Sequence, residues 1–243
     1  MKPEESRAIQ SAHCARWHGL LHRPLGDEMA RRTAMDQKQE FETEEEFLKA
    51  YKPSKYPRPS VTADIAVFSK VPAEEDDLQV LLIRRKNFPC RDMFALPGGF
   101  TNPDETVDQA AARELMEETG VKPALMMQLR TFSEPGRDPR GWTVTGTYIA
   151  LVDAATCKVQ AGDDAKDARW FRISLEGEGP LQEMVLKNGE DELVIRWEKV
   201  QEETKVDPSF KVAEQQGLAF DHSLILLYAY SRIKEILRQH PDL

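Results

Sequence analysis

Residues 99–121 read GFTNPDETVDQAAARELMEETGV, a loop running into a helix with clear signals at both ends. Asn102 is a candidate N-cap, Pro103 suits the first helical position, and Glu105 stands where a capping box needs an acid. Gly120 supplies the left-handed residue that ends the helix. Val107, Ala111 and Leu115 form a core-facing stripe. At about 100° per residue, Glu114, Glu117 and Glu118 share roughly a third of the circumference. These carboxylates repel one another and lie at the negative end of the helix dipole. A hard divalent cation such as Mg2+ resolves the conflict, taking oxygen ligands and keeping waters for exchange with substrate. Arg113, four residues before Glu117, can hold a carboxylate in position. The competing reading is a solvated acidic helix end, the usual fate of charge clusters.

Outward from this helix the pattern is one of strands. Towards the N-terminus, Val61, Ala63, Ile65 and Val67 alternate with other residues, and 78–85 (LQVLLIRR) is almost continuously apolar. An acidic loop, Glu74 to Asp77, separates the two. Towards the C-terminus, strands are predicted over 125–132, 142–153 and 168–173, and Asn188-Gly189 marks a hairpin. An amphipathic helix over 220–237 closes the series, with Leu226, Tyr230, Ile233 and Leu237 on one stripe. Mixed strands with one central and one terminal helix predict an α/β domain built on a mixed sheet. Residues 43–51 read as a short helix ended by Pro53, Pro57 and Pro59. The expected organisation is an N-terminal arm over 1–44, helical or partly disordered, and a domain over 45–243.

Composition narrows the function classes. The chain has 243 residues and a formal charge of −9, a poor start for binding DNA phosphates or anionic lipid. Its most apolar run, LILLYAY at 224–230, is far short of the ~20 residues that cross a bilayer. The N-terminus has no apolar core of signal-peptide length. The three cysteines, Cys14, Cys90 and Cys157, suggest no disulfide framework. The expectation is a cytoplasmic protein with neither nucleic-acid nor membrane partners. Cys14, His18 and His22 follow helical spacing but are incomplete as a structural zinc set.

The central segment resembles the Nudix box, G-x5-E-x7-R-E-U-x-E-E-x-G-U with U a bulky aliphatic residue. Gly99, Glu105, Arg113, Glu114, Leu115, Glu117, Glu118, Gly120 and Val121 fill its specified positions. Resemblance to Nudix hydrolases implies an α/β/α sandwich that cleaves a nucleoside diphosphate linked to a second moiety. It implies that Glu114, Glu117 and Glu118, with the Gly98 carbonyl, bind Mg2+ or Mn2+. Asp164 or Asp163, ahead of Trp170, matches the place of a further ligand or base; a turn-forming polar loop is the alternative. The stretches at 51–68, 95–100, 131–141 and 218–222 resemble the branch of ADP-ribose pyrophosphatases and related nicotinamide-linked transcriptional regulators. The implied reaction converts ADP-ribose, a nucleoside diphosphate sugar, into AMP and ribose 5-phosphate.

Candidate substrate contacts follow from residue type. Arg137, Asp138 and Arg140 occupy a Pro/Gly-rich loop where guanidiniums can grip phosphate or ribose; a salt bridge with Asp138 is the alternative. Arg84 and its neighbour Arg85 end a strand before the Gly-Gly turn. Phe94, with Phe88, can offer a stacking face for adenine, against the commoner outcome of a buried ring. His222 reads as a helix-entry residue without a catalytic role. Two other functions compete: a ligand-sensing regulator or binding module, and a hydrolase of oxidised nucleotides or dinucleoside polyphosphates. The regulators continue into a winged helix, for which the residues up to Leu243 are expected to leave no room. Apolar positions in the arm and terminal helix predict a homodimer.

Overall fold

The computed structural model describes residues 41–71, 74–121, 125–154, 165–177, 180–189, 191–200 and 209–243. Its contacts divide the chain into two units, Met1–Pro59 and Ser60–Leu243. In the first, helix α1 (Glu44–Ala50) starts at Thr43, whose hydroxyl accepts the Glu46 N–H. Three acids in its first turn suit the helix dipole, and Pro53 opens the short turn that follows.

The second unit is organised around β1 (Ser60–Val71), rich in valine and alanine. It pairs antiparallel with β2 (Glu74–Arg85) and parallel with β6 (Thr143–Leu151). Two short strands attach to this centre, β3 (Phe94–Ala95) on β2 and β4 (Gly98–Phe100) on β1. Beyond β6 lies β5 (Leu125–Phe132). Beyond β2 come β7 (Ala165–Glu176), β8 (Leu181–Asn188), β9 (Asp191–Val200) and β10 (Ser209–Gln216). The resulting order is β10-β9-β8-β7-β2-β1-β6-β5. Asn188 pairs with Asp191 across the expected hairpin.

Alternation in β1 predicts one buried face, yet residues 62–69 are buried without interruption. Both faces are covered. Ala63, Ile65 and Val67 pack with Ala110, Ala111 and Leu115 of α2 (Val107–Thr119). Ala66 and Phe68 join a larger cluster with Leu82, Ile149, Ile225 and Leu226, the last two from α3 (His222–Gln239). Each of the valine, leucine, isoleucine and phenylalanine side chains among them contributes about 1.5–3 kcal/mol by leaving water. The result is the α/β/α sandwich with a mixed sheet. Among the described residues no helix is long and apolar enough to cross a membrane.

Three local expectations are corrected. α2 begins one turn later than Asn102: Thr106 is its N-cap and closes a capping box with Gln109. Asn102 does bond Glu105, through its backbone N–H at 2.8 Å and its amide at 3.1 Å, but within the preceding loop. Glu105 is drawn there because Arg113 of α2 engages both its oxygens. Replacing Thr106 by alanine is expected to cost about 1 kcal/mol in urea unfolding. Strand β2 takes in the acids from Glu74 onward instead of leaving them in a loop. Helix α3 starts at His222, because Phe220 adopts a left-handed backbone with φ 53°.

Candidate active site

Backbone approach comes first. In the β1–β4 register Asp64 faces Gly98 and Ala63 faces Gly99. A Cβ at Gly98 would lie 2.3 Å from the Ala63 carbonyl oxygen and 2.7 Å from Asp64 Oδ1; at Gly99 it would lie 2.4 Å from Glu114 Oε1. Only glycines let both carboxylates close on this turn. The strand segment before it is suspended from the start of α3. Phe94 donates its N–H to Gly217 O, Ala219 donates to Phe94 O, and the Leu96 N–H donates to His222 Nδ1 at 2.9 Å.

Arg113 is the hub on the α2 side. It donates to Glu105 (2.6 and 3.0 Å), Glu114 (2.8 Å), Glu117 (2.9 Å) and the Phe100 carbonyl (3.0 Å). The Arg113 contact, with the Asn102 N–H, holds the Glu105 carboxyl down at about 2. Glu118 has no such cation. Its Oε2 accepts the Gly98 N–H at 2.8 Å, but burial, reinforced by Glu114 and Asp64, lifts its pKa to about 8. Burial likewise raises Glu114 against the pull of Arg113.

Glu118 therefore binds a proton more tightly in the folded chain than in the unfolded one. The stabilisation is complete below an unfolded pKa of 4.5 and is lost as pH rises through about 8. Metal-free protein is thus expected to lose melting temperature between those limits. Mg2+ should restore it at the alkaline end, and a flat profile by scanning calorimetry would contradict the assignment.

Glu114, Glu117, Glu118, Arg113 and the Gly98 backbone are brought together. Among the described residues, however, no three carboxylate, imidazole or thiol groups already converge on one point. Glu114 and Glu117 lean to Arg113, and Glu118 leans to Gly98. The donor set still fits a hard divalent cation: it is all oxygen, crowded, and includes a carboxylate, Glu118, whose hydrogen bond goes to a backbone N–H. Asp163 and Asp164 lie outside the described residues, as do Cys14, His18, His22 and Cys157.

Several expected substrate contacts lie elsewhere. Phe94 is a core residue, 4% exposed and edge-on to Phe171, so it offers no open stacking face. Arg137 is also buried: it grips Asp221 with two bonds of 2.8 and 2.9 Å and lies 3.5 Å from Asp64. Arg84 donates to the Asp92 carbonyl and lies over Phe94. Arg140 is paired with buried Asp138, as the salt-bridge alternative anticipated, yet its side chain remains 42% exposed.

Asp64, Asp221 and His222 are additions to the site. His222 is buried, with Nε2 3.8 Å from Asp64 Oδ1. Burial lowers its pKa against the pull of Asp64 and Asp221. Since Nδ1 accepts from Leu96, the neutral ring carries its proton on Nε2, facing Asp64. A lone aspartate inside the apolar run ADIAVF was the signal for Asp64, because a buried acid needs a partner.

Comparison with known proteins adds to this geometry. The NUDIX domain profile matches residues 66–190. A stretch of 100 residues is 45% identical to an ADP-ribose pyrophosphatase of Methanocaldococcus jannaschii, covering 41% of this chain and 58% of that protein. Another of 115 residues is 41% identical to the ADPR responsive transcriptional repressor NtrR of Acinetobacter baylyi, covering 46% and 45%. The chain thus spans about half the length of these curated relatives. The crystal structure of a MutT/nudix family protein from Enterococcus faecalis superposes with TM-score 0.60 at 31% identity, covering 97% of this chain and 75% of that one.

Proposed function

This chain belongs to the Nudix family, and from that premise we propose that it is a metal-dependent pyrophosphohydrolase. Its substrate is a nucleoside diphosphate linked to a second moiety, ADP-ribose foremost, split into AMP and ribose 5-phosphate. The observation that carries the reading is the crowding of Glu114, Glu118 and Asp64 around a Gly-Gly turn, where a Cβ at either glycine would strike Asp64 or Glu114 and where Glu118 accepts the Gly98 N–H. The 45% identity to an ADP-ribose pyrophosphatase supports the choice of substrate.

Glu114, Glu117, Glu118 and the Gly98 carbonyl would hold Mg2+ or Mn2+. When bound, the ion neutralises pyrophosphate charge and lowers the pKa of water. Arg113 fixes the Glu114 and Glu117 carboxylates and braces the loop through Glu105 and Phe100. A carboxylate of the cluster not engaged with the cation receives the proton of the attacking water. The decisive test is a panel of ADP-ribose, oxidised nucleotides and dinucleoside polyphosphates with Mg2+ or Mn2+, read by release of AMP and phosphate esters. Absence of hydrolysis across the panel would overturn the reading.

Identity to a repressor named as ADPR responsive supports a second reading, in which the site senses ADP-ribose without cleaving it. That reading gives calorimetric binding and no AMP. We further propose a homodimer without nucleic-acid partners; light scattering is expected to give twice the chain mass, and a monomer at micromolar concentration would remove the dimer.

A further inference from the structure

Residues 96–98 are pinned at three successive points, each by a different element. The Leu96 N–H donates to His222 Nδ1, at the start of α3, over 2.9 Å. The Pro97 carbonyl accepts the Ile65 N–H of β1 at 2.8 Å. The Gly98 N–H donates to Glu118 Oε2 of α2, also at 2.8 Å. Because Ile65 takes the neighbouring carbonyl, Gly98 stands opposite Asp64 in a non-hydrogen-bonded position, and its own N–H and carbonyl point away from β1. Turning that carbonyl requires one of the three pins to loosen.

His222 reaches Gly98 by a second route. Its Nε2 lies 3.8 Å from Asp64 Oδ1. The same Asp64 oxygen fills the space a Cβ on Gly98 would need, 2.7 Å from that position. From the other side Arg137 Nη2 stands 3.5 Å from Asp64 Oδ2. The side chains of Arg137 and His222 are 4% and 6% exposed, so Asp64 is wedged between Gly98 and two groups that cannot swing into solvent.

We propose that His222 is a positioning residue for the cation site: from α3 it fixes the direction of the Gly98 carbonyl through the Leu96 amide and the Asp64 carboxylate. The inference rests on the hydrolase reading above and adds to it a residue outside the box. Outer partners of this kind hold a ligating atom in its productive direction, and losing one costs about 10- to 100-fold in metal affinity. A neutral imidazole suits the place. It accepts at Nδ1 and presents an N–H at Nε2, so one side chain serves a backbone donor and a carboxylate together. Asparagine reproduces only the first function and leucine neither.

The test reads Mn2+ affinity by electron paramagnetic resonance, which needs no turnover. His222→Leu is expected to weaken Mn2+ binding by about 10- to 100-fold. At a Mn2+ concentration that just saturates the wild-type protein, its kcat for ADP-ribose should fall about 10-fold while KM moves by less than about threefold. His222→Asn, which keeps an acceptor for the Leu96 amide, should lie between the two proteins on both measures. Ser223→Ala removes the neighbouring bond to Gln215 at the same helix start; it should leave Mn2+ affinity unchanged even where it lowers the melting temperature. In the wild-type protein Mg2+ should slow hydrogen exchange of the Leu96 amide by a similar factor, because coupling between two sites is reciprocal. That arm requires no variant to fold. Wild-type Mn2+ affinity in His222→Leu, an equal loss in Ser223→Ala, or Leu96 exchange indifferent to Mg2+ overturns the role of His222. The hydrolase reading survives any of these if the wild-type protein binds Mn2+ and splits ADP-ribose. A wild-type protein that binds no Mn2+ overturns both.

Discussion

Glu118→Gln is expected to lower ADP-ribose turnover by at least about 10²-fold, with Glu117→Gln and Glu114→Gln following it. A factor of 10² corresponds to about 2.7 kcal/mol of barrier, well within the several kcal/mol that a metal-held charge contributes to phosphoryl chemistry. Glutamine keeps the size of the side chain and its acceptor oxygen, so the Gly98 N–H retains a partner and the fold should persist. What is lost is the formal charge. The variant should also lose its Mg2+-dependent rise in melting temperature at alkaline pH, because the group with the pKa of about 8 is gone. Near-normal turnover in both Glu117→Gln and Glu118→Gln would mean that the acids serve no cation.

The second large effect is on stability. Arg137→Met should destabilise the fold by about 3–5 kcal/mol, the usual consequence of removing one partner of a buried ion pair. The Arg137 side chain is 4% exposed and those of Asp64 and Asp221 are 10% and 19% exposed, so water cannot replace the lost cation cheaply. Against a typical total of about 5–15 kcal/mol, that loss is substantial. Adding Asp221→Asn should recover part of it by removing one stranded charge, a non-additivity that urea unfolding of the single and double variants would resolve. A loss below about 1 kcal/mol for Arg137→Met alone would place this ion pair among solvent-screened surface contacts.

Arg137 also marks the limit of what residue type reveals. The sequence places it beside Arg140 in a loop suited to phosphate, and nothing local separates the two. Their fates differ because Asp221, 84 residues away, meets Arg137 in the interior, whereas Arg140 stays exposed while pairing with the buried Asp138. Phe94 is similar: as an aromatic it can offer a stacking face for adenine, but the ring lies buried, edge-on to Phe171. Local features were more legible. The core stripe of α2, its Gly120 terminus, the Arg113–Glu117 pair and the Asn188-Gly189 hairpin depend on neighbours a few residues apart. Two starts for α2 compete because Asn102–Glu105 and Thr106–Gln109 are consecutive capping signals. Arg113 decides between them by pulling Glu105 out of the helix.

The bonds that run from Phe94 and Leu96 to residues 217–222 set an order of events during synthesis. The Leu96 amide waits for an imidazole 126 positions downstream, so a ribosome must release nearly the whole Nudix sandwich before the glycine turn is tethered. Most of the sheet can assemble without that tether. Completion of the core and tethering of the site wait on the same segment, because Ile225 and Leu226 of α3 cover one face of the sheet just after His222 takes up the Leu96 amide.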